Sequence, residues 1–235
     1  MNSISYNYNN KKYFFYYGDK DIENVSHMTY PPIQLPKKSN IIMDIGGNIG
    51  SSAVYFNLIY PDSQIYVFEP DPISYETLIK NTSLFNNISC YNFGLSNENK
   101  NIELNRCSYG SSGNSIHLRP EATYEKVPVE LKKASDVIKS YNLHNANILK
   151  IDTEGCEVEI LQSILETDIS FDVIYVEYHC DEDRFEIEKL MYPKYNLVFA
   201  KINCKNIGEL TYINSNINAY EISSMRLPNQ RRESK

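Results

Sequence analysis

Four short segments bring together residue types able to do chemistry. The first, Asp44-Ile45-Gly46-Gly47-Asn48-Ile49-Gly50, sets an acid just ahead of a glycine-rich turn. An acid that interrupts an apolar run needs a partner, since burying an unpaired carboxylate costs several kcal/mol. The pattern departs from the G-x-G-x-x-G of pyrophosphate binding. Asn48 stands where a second glycine would let the backbone close on the phosphates, and Asp44 would repel them. A cationic ligand without phosphate fits better. The second segment holds Glu69, 19 residues after Gly50, an acid placed to accept both hydrogens of a ribose diol. The third, Lys150 to Glu157, crowds Asp152, Glu154 and Glu157 together. In the fourth, Val176-Glu177-Tyr178-His179, an acid and an imidazole two residues apart share one face of an extended chain.

These segments must be held by elements that the sequence outlines. Ile41–Ile45 is a compact apolar run, expected as a buried strand. Ser51–Tyr60 has helical spacing and is stopped by Pro61. Ile65–Phe68 is a second strand, after which Asp71 and Pro72 supply the cap and first residue of a helix with Tyr75, Leu78 and Ile79 on its inner face. Ile88–Phe93 is a third strand ending at Asn92-Phe93-Gly94, and Ile102–Leu104 can form a small extra one. The second half repeats the rhythm, with helices at Ala134–Tyr141, Cys156–Leu165 and Arg184–Met191. Its strands are Ile148–Ile151, Phe171–Tyr178, Leu197–Ile202 and a last one at Ala219–Ile222. Alternation of this kind means an α/β domain with a parallel-dominated sheet. In a doubly wound sheet the first and fourth strands are neighbours at the switch point, so Asp152 should face the cleft opened by Asp44–Gly50. Residues 1–38 form an N-terminal extension whose aromatic run, Tyr13 to Tyr17, suits a strand pair, a flap or an interface. Residues 39–225 form the main domain and 226–235 a basic tail.

S-adenosylmethionine meets the ligand requirement. Asp44 can balance its ammonium and sulfonium, the amides of the turn can hold its carboxylate, and Glu69 can hold its ribose. Expected donor-binding residues are Asp44, Gly46, Gly47, Asn48, Gly50, Glu69, Pro70, Asn92, Gly94 and Asp152. Together with Phe68-Glu69-Pro70-Asp71, Leu149-Lys150-Ile151-Asp152-Thr153-Glu154-Gly155-Cys156-Glu157 and Val176-Glu177-Tyr178-His179, the first motif resembles the FkbM-type family of S-adenosylmethionine-dependent methyltransferases, over roughly Asn40 to Ile222. The resemblance implies a Rossmann-like class I fold: a seven-stranded, mostly parallel sheet with helices on both faces and an antiparallel last strand. It also implies O-methylation of a sugar or polyketide hydroxyl. Ser111-Ser112-Gly113-Asn114-Ser115 resembles the family's small-residue loop between the third and fourth strands. A hydroxyl is a poor nucleophile at neutral pH, so a general base is useful. Asp152 or His179 is expected in that role, with Glu154 and Glu177 orienting the acceptor or the histidine. The main expectation involves no metal; in an alternative, these four residues hold magnesium or manganese, which accept mixed oxygen and nitrogen ligands.

Composition bounds the remaining readings. The 235 residues are 42% apolar and 23% charged, an ordinary globular balance. A formal charge of −7 disfavours a broad nucleic-acid surface. No run approaches the length of a membrane span, and the polar N-terminus has no secretory signal. Five scattered cysteines without a C-x-x-C pair suggest reduced thiols in the cytoplasm. The expected partner is a small-molecule or glycan acceptor, not nucleic acid, with self-association left open. Competing readings are an NAD-binding oxidoreductase and a non-catalytic Rossmann-like interaction domain.

Overall fold

The short apolar runs between Asn40 and Tyr178 become parallel strands of one sheet in a computed structural model, which describes residues 2–8, 11–18, 30–35, 40–108, 110–115, 123–192 and 194–217. An antiparallel pair, β1 (Asn2–Tyr8) and β2 (Lys11–Tyr17), comes first. Then follow β3 (Ile41–Ile45), α1 (Ser51–Ile59), β4 (Gln64–Phe68), α2 (Pro72–Thr82) and β5 (Ile88–Tyr91). A small sheet of β6 (Gly94–Ser96), β7 (Lys100–Cys107) and β8 (Tyr124–Lys133) is inserted next. The chain continues through α3 (Ala134–Ser140), β9 (Ile148–Ile151), α4 (Glu157–Leu165), β10 (Val173–Tyr178), α5 (Asp181–Met191), β11 (Tyr195–Cys204) and β12 (Ile207–Asn214).

The main sheet has seven strands in the order β11-β12-β10-β9-β3-β4-β5, with β12 antiparallel to both neighbours. Strand order reverses between β3 and β9, where Asp44 lies opposite Lys150. Each face buries its own apolar cluster. One gathers α3, α4 and α5 through Val137, Ile160 and Ile187; the other gathers α1 and α2 through Phe56 and Leu78. The helices therefore lie on both faces, as expected for a parallel sheet that must be covered twice.

Some details differ from the sequence reading. The antiparallel strand is β12, reached by a two-residue turn at Lys205-Asn206 with Asn206 in the left-handed region (φ 66°). The strand expected at Ala219–Ile222 lies outside the described residues, as does the basic tail. Ile79, expected inward, is 43% exposed, because α2 meets the sheet through Leu78 and the small residues Ser74 and Thr77. The strand suggested at Ile102–Leu104 is the middle of an eight-residue strand, β7.

The N-terminal strand pair is docked on the domain. Phe15 and Tyr17 are buried with Ile49 and Val54. Asn81 of α2 accepts from the Tyr16 amide at 2.7 Å and donates to the Tyr16 carbonyl at 2.9 Å and the Ile49 carbonyl at 2.7 Å. One side chain thus ties the pair to the glycine-rich turn. Ile33 and Leu35 are also buried in the α1–α2 cluster. Phe15→Ala should lower stability by about 3 kcal/mol, the usual cost of emptying a buried aromatic site, and Phe14→Ala on the half-exposed face by less than about 0.5 kcal/mol. Chemical denaturation checks this; equal effects would mean that the pair is not packed on the domain.

Candidate active site

The turn after β3 is shaped by close approaches. Gly46 (φ 78°) has its Cα against β9, where an added Cβ would lie 1.8 Å from the Asp152 carbonyl oxygen. At Gly47 a Cβ would lie 2.2 Å from the Val67 side chain. Both amides donate to the Phe68 carbonyl, at 3.0 and 3.1 Å. Asn48 follows in the left-handed region (φ 48°), a conformation asparagine tolerates, and Gly50 (φ 94°) precedes the first turn of α1. The turn opens onto a cavity of about 580 Å³, a size typical of small-molecule sites.

Glu69 closes the turn from β4. Its Oε2 accepts from the Asn48 amide and its Oε1 from the Asp71 amide, each at 2.8 Å. Burial lifts its carboxyl to about 7 against the pull of those two amides. Pro70 and Gly94 also line the cavity, whereas Asn92 braces the bend, donating to the carbonyls of Glu69 at 3.0 Å and Pro70 at 3.1 Å. Beyond them the small sheet supplies an apolar wall of Leu95, Ile102, Leu104 and Leu131. Its end is tied down by Arg106, whose guanidinium meets Asp71, and by Asn114, which donates to Asp71 at 3.3 Å. Ser115 Oγ donates to the Glu154 carbonyl at 2.6 Å. The small-residue loop thereby joins the ends of β4 and β9.

Asp44 is fully buried and already paired. Ser52 Oγ donates to its Oδ2 at 2.6 Å, and Lys150 Nζ lies 3.2 Å from its Oδ1. Lys150 is itself 2% exposed, donates to the carbonyls of Ile45 at 3.3 Å and Gly46 at 2.6 Å, and lies 3.8 Å from Asp152. Burial opposes the ammonium, but Asp44 and Asp152 more than restore it, and it stays above the ordinary lysine value. The partner that Asp44 requires is thus supplied by the protein, one strand away. Sequence reasoning gave Lys150 no role, although a lysine inside the run Ile148-Leu149-Lys150-Ile151 must find an acid if that strand is buried.

The third and fourth segments converge beyond Lys150. Asp152, Glu154 and Glu177 line the cavity. His179 lies just behind them, with Nε2 3.3 Å from Glu154 and Nδ1 3.3 Å from Glu157. Burial works against its charge, but Glu157 and Glu154 outweigh it and raise the imidazole to about 10. Glu157, expected only as an acid favoured at a helix N-terminus, is fully buried and accepts from the amides of Thr153 at 2.8 Å and Gly155 at 3.1 Å. These bonds and His179 hold its carboxyl below the usual range despite burial. Residues missed by the sequence reading complete this end: Tyr30, Lys201, Asn203 and Glu209 line the same cavity.

Asp152, Glu154 and His179 place one possible ligand atom each within 4.8 Å of one another. The trio fits a resident metal poorly. Both imidazole nitrogens face carboxylates, and a protonated ring offers no lone pair.

Residues 44–217 match the family model described as the methyltransferase FkbM domain. "Methyltransferase 1" of Beauveria bassiana is 30% identical over 146 residues, covering 53% of this chain and 58% of that protein. "Methyltransferase sdnD" of Sordaria araneosa is 30% identical over 155 residues, 52% of this chain and 60% of its own. The "hexuronic acid methyltransferase AglP" of Haloferax volcanii is 22% identical over 156 residues, 66% and 62%. The chain thus spans about 60% of the length of these relatives. Among solved structures, Methanococcus jannaschii fibrillarin aligns with TM-score 0.54 at 12% identity over 90% of this chain and 82% of its own. Aeropyrum pernix fibrillarin, with natively bound S-adenosyl-L-methionine, aligns with TM-score 0.51 at 12% identity over the same shares. At such identity the likeness is one of fold, and that fold is the Rossmann-like class I arrangement.

His179 gives a direct test of the site's electrostatics. Its pKa stands above the unfolded value of 6.5, so its contribution to stability is full below that value and is lost as pH rises through about 10. An NMR titration should show the ring still protonated at pH 8, and Glu157→Gln should bring the midpoint down. A wild-type midpoint between 6 and 7 would contradict the pairing.

Proposed function

We propose that this chain, which belongs to the FkbM methyltransferase family, uses S-adenosylmethionine to methylate a hydroxyl of a sugar or related small molecule. The observation that carries the reading is the cavity in which the Gly46–Asn48 turn, the Glu69 carboxylate and Asp152 meet. The residues fit the donor on their own chemistry. Gly46 and Gly47 form a cradle that any Cβ would fill, and two buried polar atoms at its rim, Asn48 Oδ1 and Ser51 Oγ, have no hydrogen-bond partner. Both can serve the methionine end. Glu69 can exchange its two backbone donors for the two hydroxyls of a ribose, and the apolar wall of the small sheet suits a flat base. When bound, the donor supplies a methyl group already activated on a sulfonium.

The protein's remaining task is to place an acceptor oxygen behind that methyl, about 3 Å away, and to take its proton. Asp152 is the base in this reading. It stands at the end of β9, is 27% exposed, and has its main chain fixed to Ile45 by a 3.1 Å hydrogen bond. His179, already protonated, is a poor acceptor of a proton and instead holds Glu154 toward the cavity. Glu177 can orient the acceptor. Two relatives named for hexuronic acid methylation and for 2-O-methylation support a sugar hydroxyl as the target. A small-molecule acceptor also accords with the net charge of −7, which opposes nucleic acid. No described helix is long and apolar enough to cross a membrane.

Calorimetric titration with S-adenosylhomocysteine should show one site, whereas NADH should not bind. Glu69→Ala should weaken that binding roughly 10- to 100-fold, the value of one or two hydrogen bonds to a charged group. Asp152→Asn should leave it within a few fold while slowing methyl transfer about 10²- to 10⁴-fold. Tight NADH binding with no response to S-adenosylhomocysteine would overturn the assignment.

A further inference from the structure

The two ends of the cavity differ in charge. Over β9, β10 and β12 its lining carries Asp152, Glu154, Glu177 and Glu209. The nearby cations are already engaged with acids. Lys150 is shared between Asp44 and Asp152, at 3.2 and 3.8 Å. His179 is shared between Glu154 and Glu157, and Lys201 lies 3.4 Å from Glu209. Among the described residues, three cations at this end therefore serve six carboxylates. A donor with one net positive charge does not remove the excess.

The excess is concentrated at one place. Asn203 Nδ2 donates to Glu177 Oε1 at 3.2 Å and to Glu209 Oε1 at 3.1 Å, so a single amide holds these two carboxylates side by side. Glu209 is 7% exposed, and Glu177 faces Asp152 across the cavity. Burial, and then the charge of Asp152, push the Glu177 carboxyl up to about 8. The group is short of positive charge. Tyr30 adds an aromatic wall here, its ring 5.4 Å from that of Tyr175. Such a face suits an ammonium or the C–H face of a pyranose.

We propose that the acceptor carries a protonated amine, as an amino sugar does, bound between Glu177, Glu209 and Asp152, and that this site rejects uronate acceptors. This rests on the methyltransferase reading and adds the charge of the substrate to it. It also separates this chain from its haloarchaeal relative, which is named for a hexuronic acid. An anion placed here would meet carboxylates with no uncommitted cation, and like-charge contacts of that kind are strongly disfavoured.

The test is calorimetry on the full chain, first with S-adenosylhomocysteine alone and then, with that ligand saturating, with glucosamine, N-acetylglucosamine and glucuronate at pH 7. Glucosamine should bind about tenfold or more tighter than its N-acetyl form, with glucuronate weakest. Repeating the titration in buffers of different ionisation heat should show a proton released with glucosamine and none with the N-acetyl sugar, because an ammonium favours the ionised Glu177. Glu177→Gln and Glu209→Gln should each shrink the glucosamine preference several-fold. Equal affinities, a preference for glucuronate, or no binding of any sugar while S-adenosylhomocysteine binds would overturn the amine assignment and leave the donor reading standing. Failure of S-adenosylhomocysteine itself to bind would remove both.

Discussion

The site depends on one buried contact: the Lys150 ammonium held by the Asp44 carboxylate where the strand order reverses. Neither group is accessible to water, so neither could remain charged alone, and losing either partner would strand a charge at a cost of about 3–5 kcal/mol. Lys150 also donates to the carbonyls of Ile45 and Gly46. A single side chain on β9 thus fixes the last turn of β3, and the glycine-rich bend is laid against Asp152 as a consequence. Asp44 shapes the cleft from beneath rather than facing the ligand directly.

From that seam the cavity divides by sheet order. Toward β4 and β5 it meets Glu69 and the apolar inner face of the inserted sheet. Toward β10, β12 and β11 it meets carboxylates held by Asn203, Lys201 and His179. Parallel strands deliver both sets at their carboxyl ends, where loops can diverge without disturbing the core. The three-stranded insertion and the docked N-terminal strand pair cover this edge, and Asn81 links the strand pair to the same turn.

Much of this was legible in the sequence because the informative residues lie at strand ends. Asp44 before glycines, Glu69 after a second strand and Asp152 after a fourth fall at positions fixed by the alternation of strands and helices. What escaped the reading was long-range pairing. Lys150 was passed over because a lysine in a four-residue run looks like an edge residue until the strand is known to be central. Glu157 was taken as an ordinary first-turn acid, since the sequence does not show that His179 comes to lie against it. The last strand was placed beyond its true position because Lys205-Asn206, a tight turn, carries neither glycine nor proline. The acceptor end, built from β11 and β12, was lost with it.

The most direct measurement is a crystal structure of the protein with S-adenosylhomocysteine. The account predicts the ribose hydroxyls on Glu69, the amino-acid end against Gly46–Asn48, and the sulfur facing Asp152, with the Lys150–Asp44 pair unchanged. A ligand seated elsewhere, or a cleft left vacant beside Glu69 at saturating concentration, would contradict it.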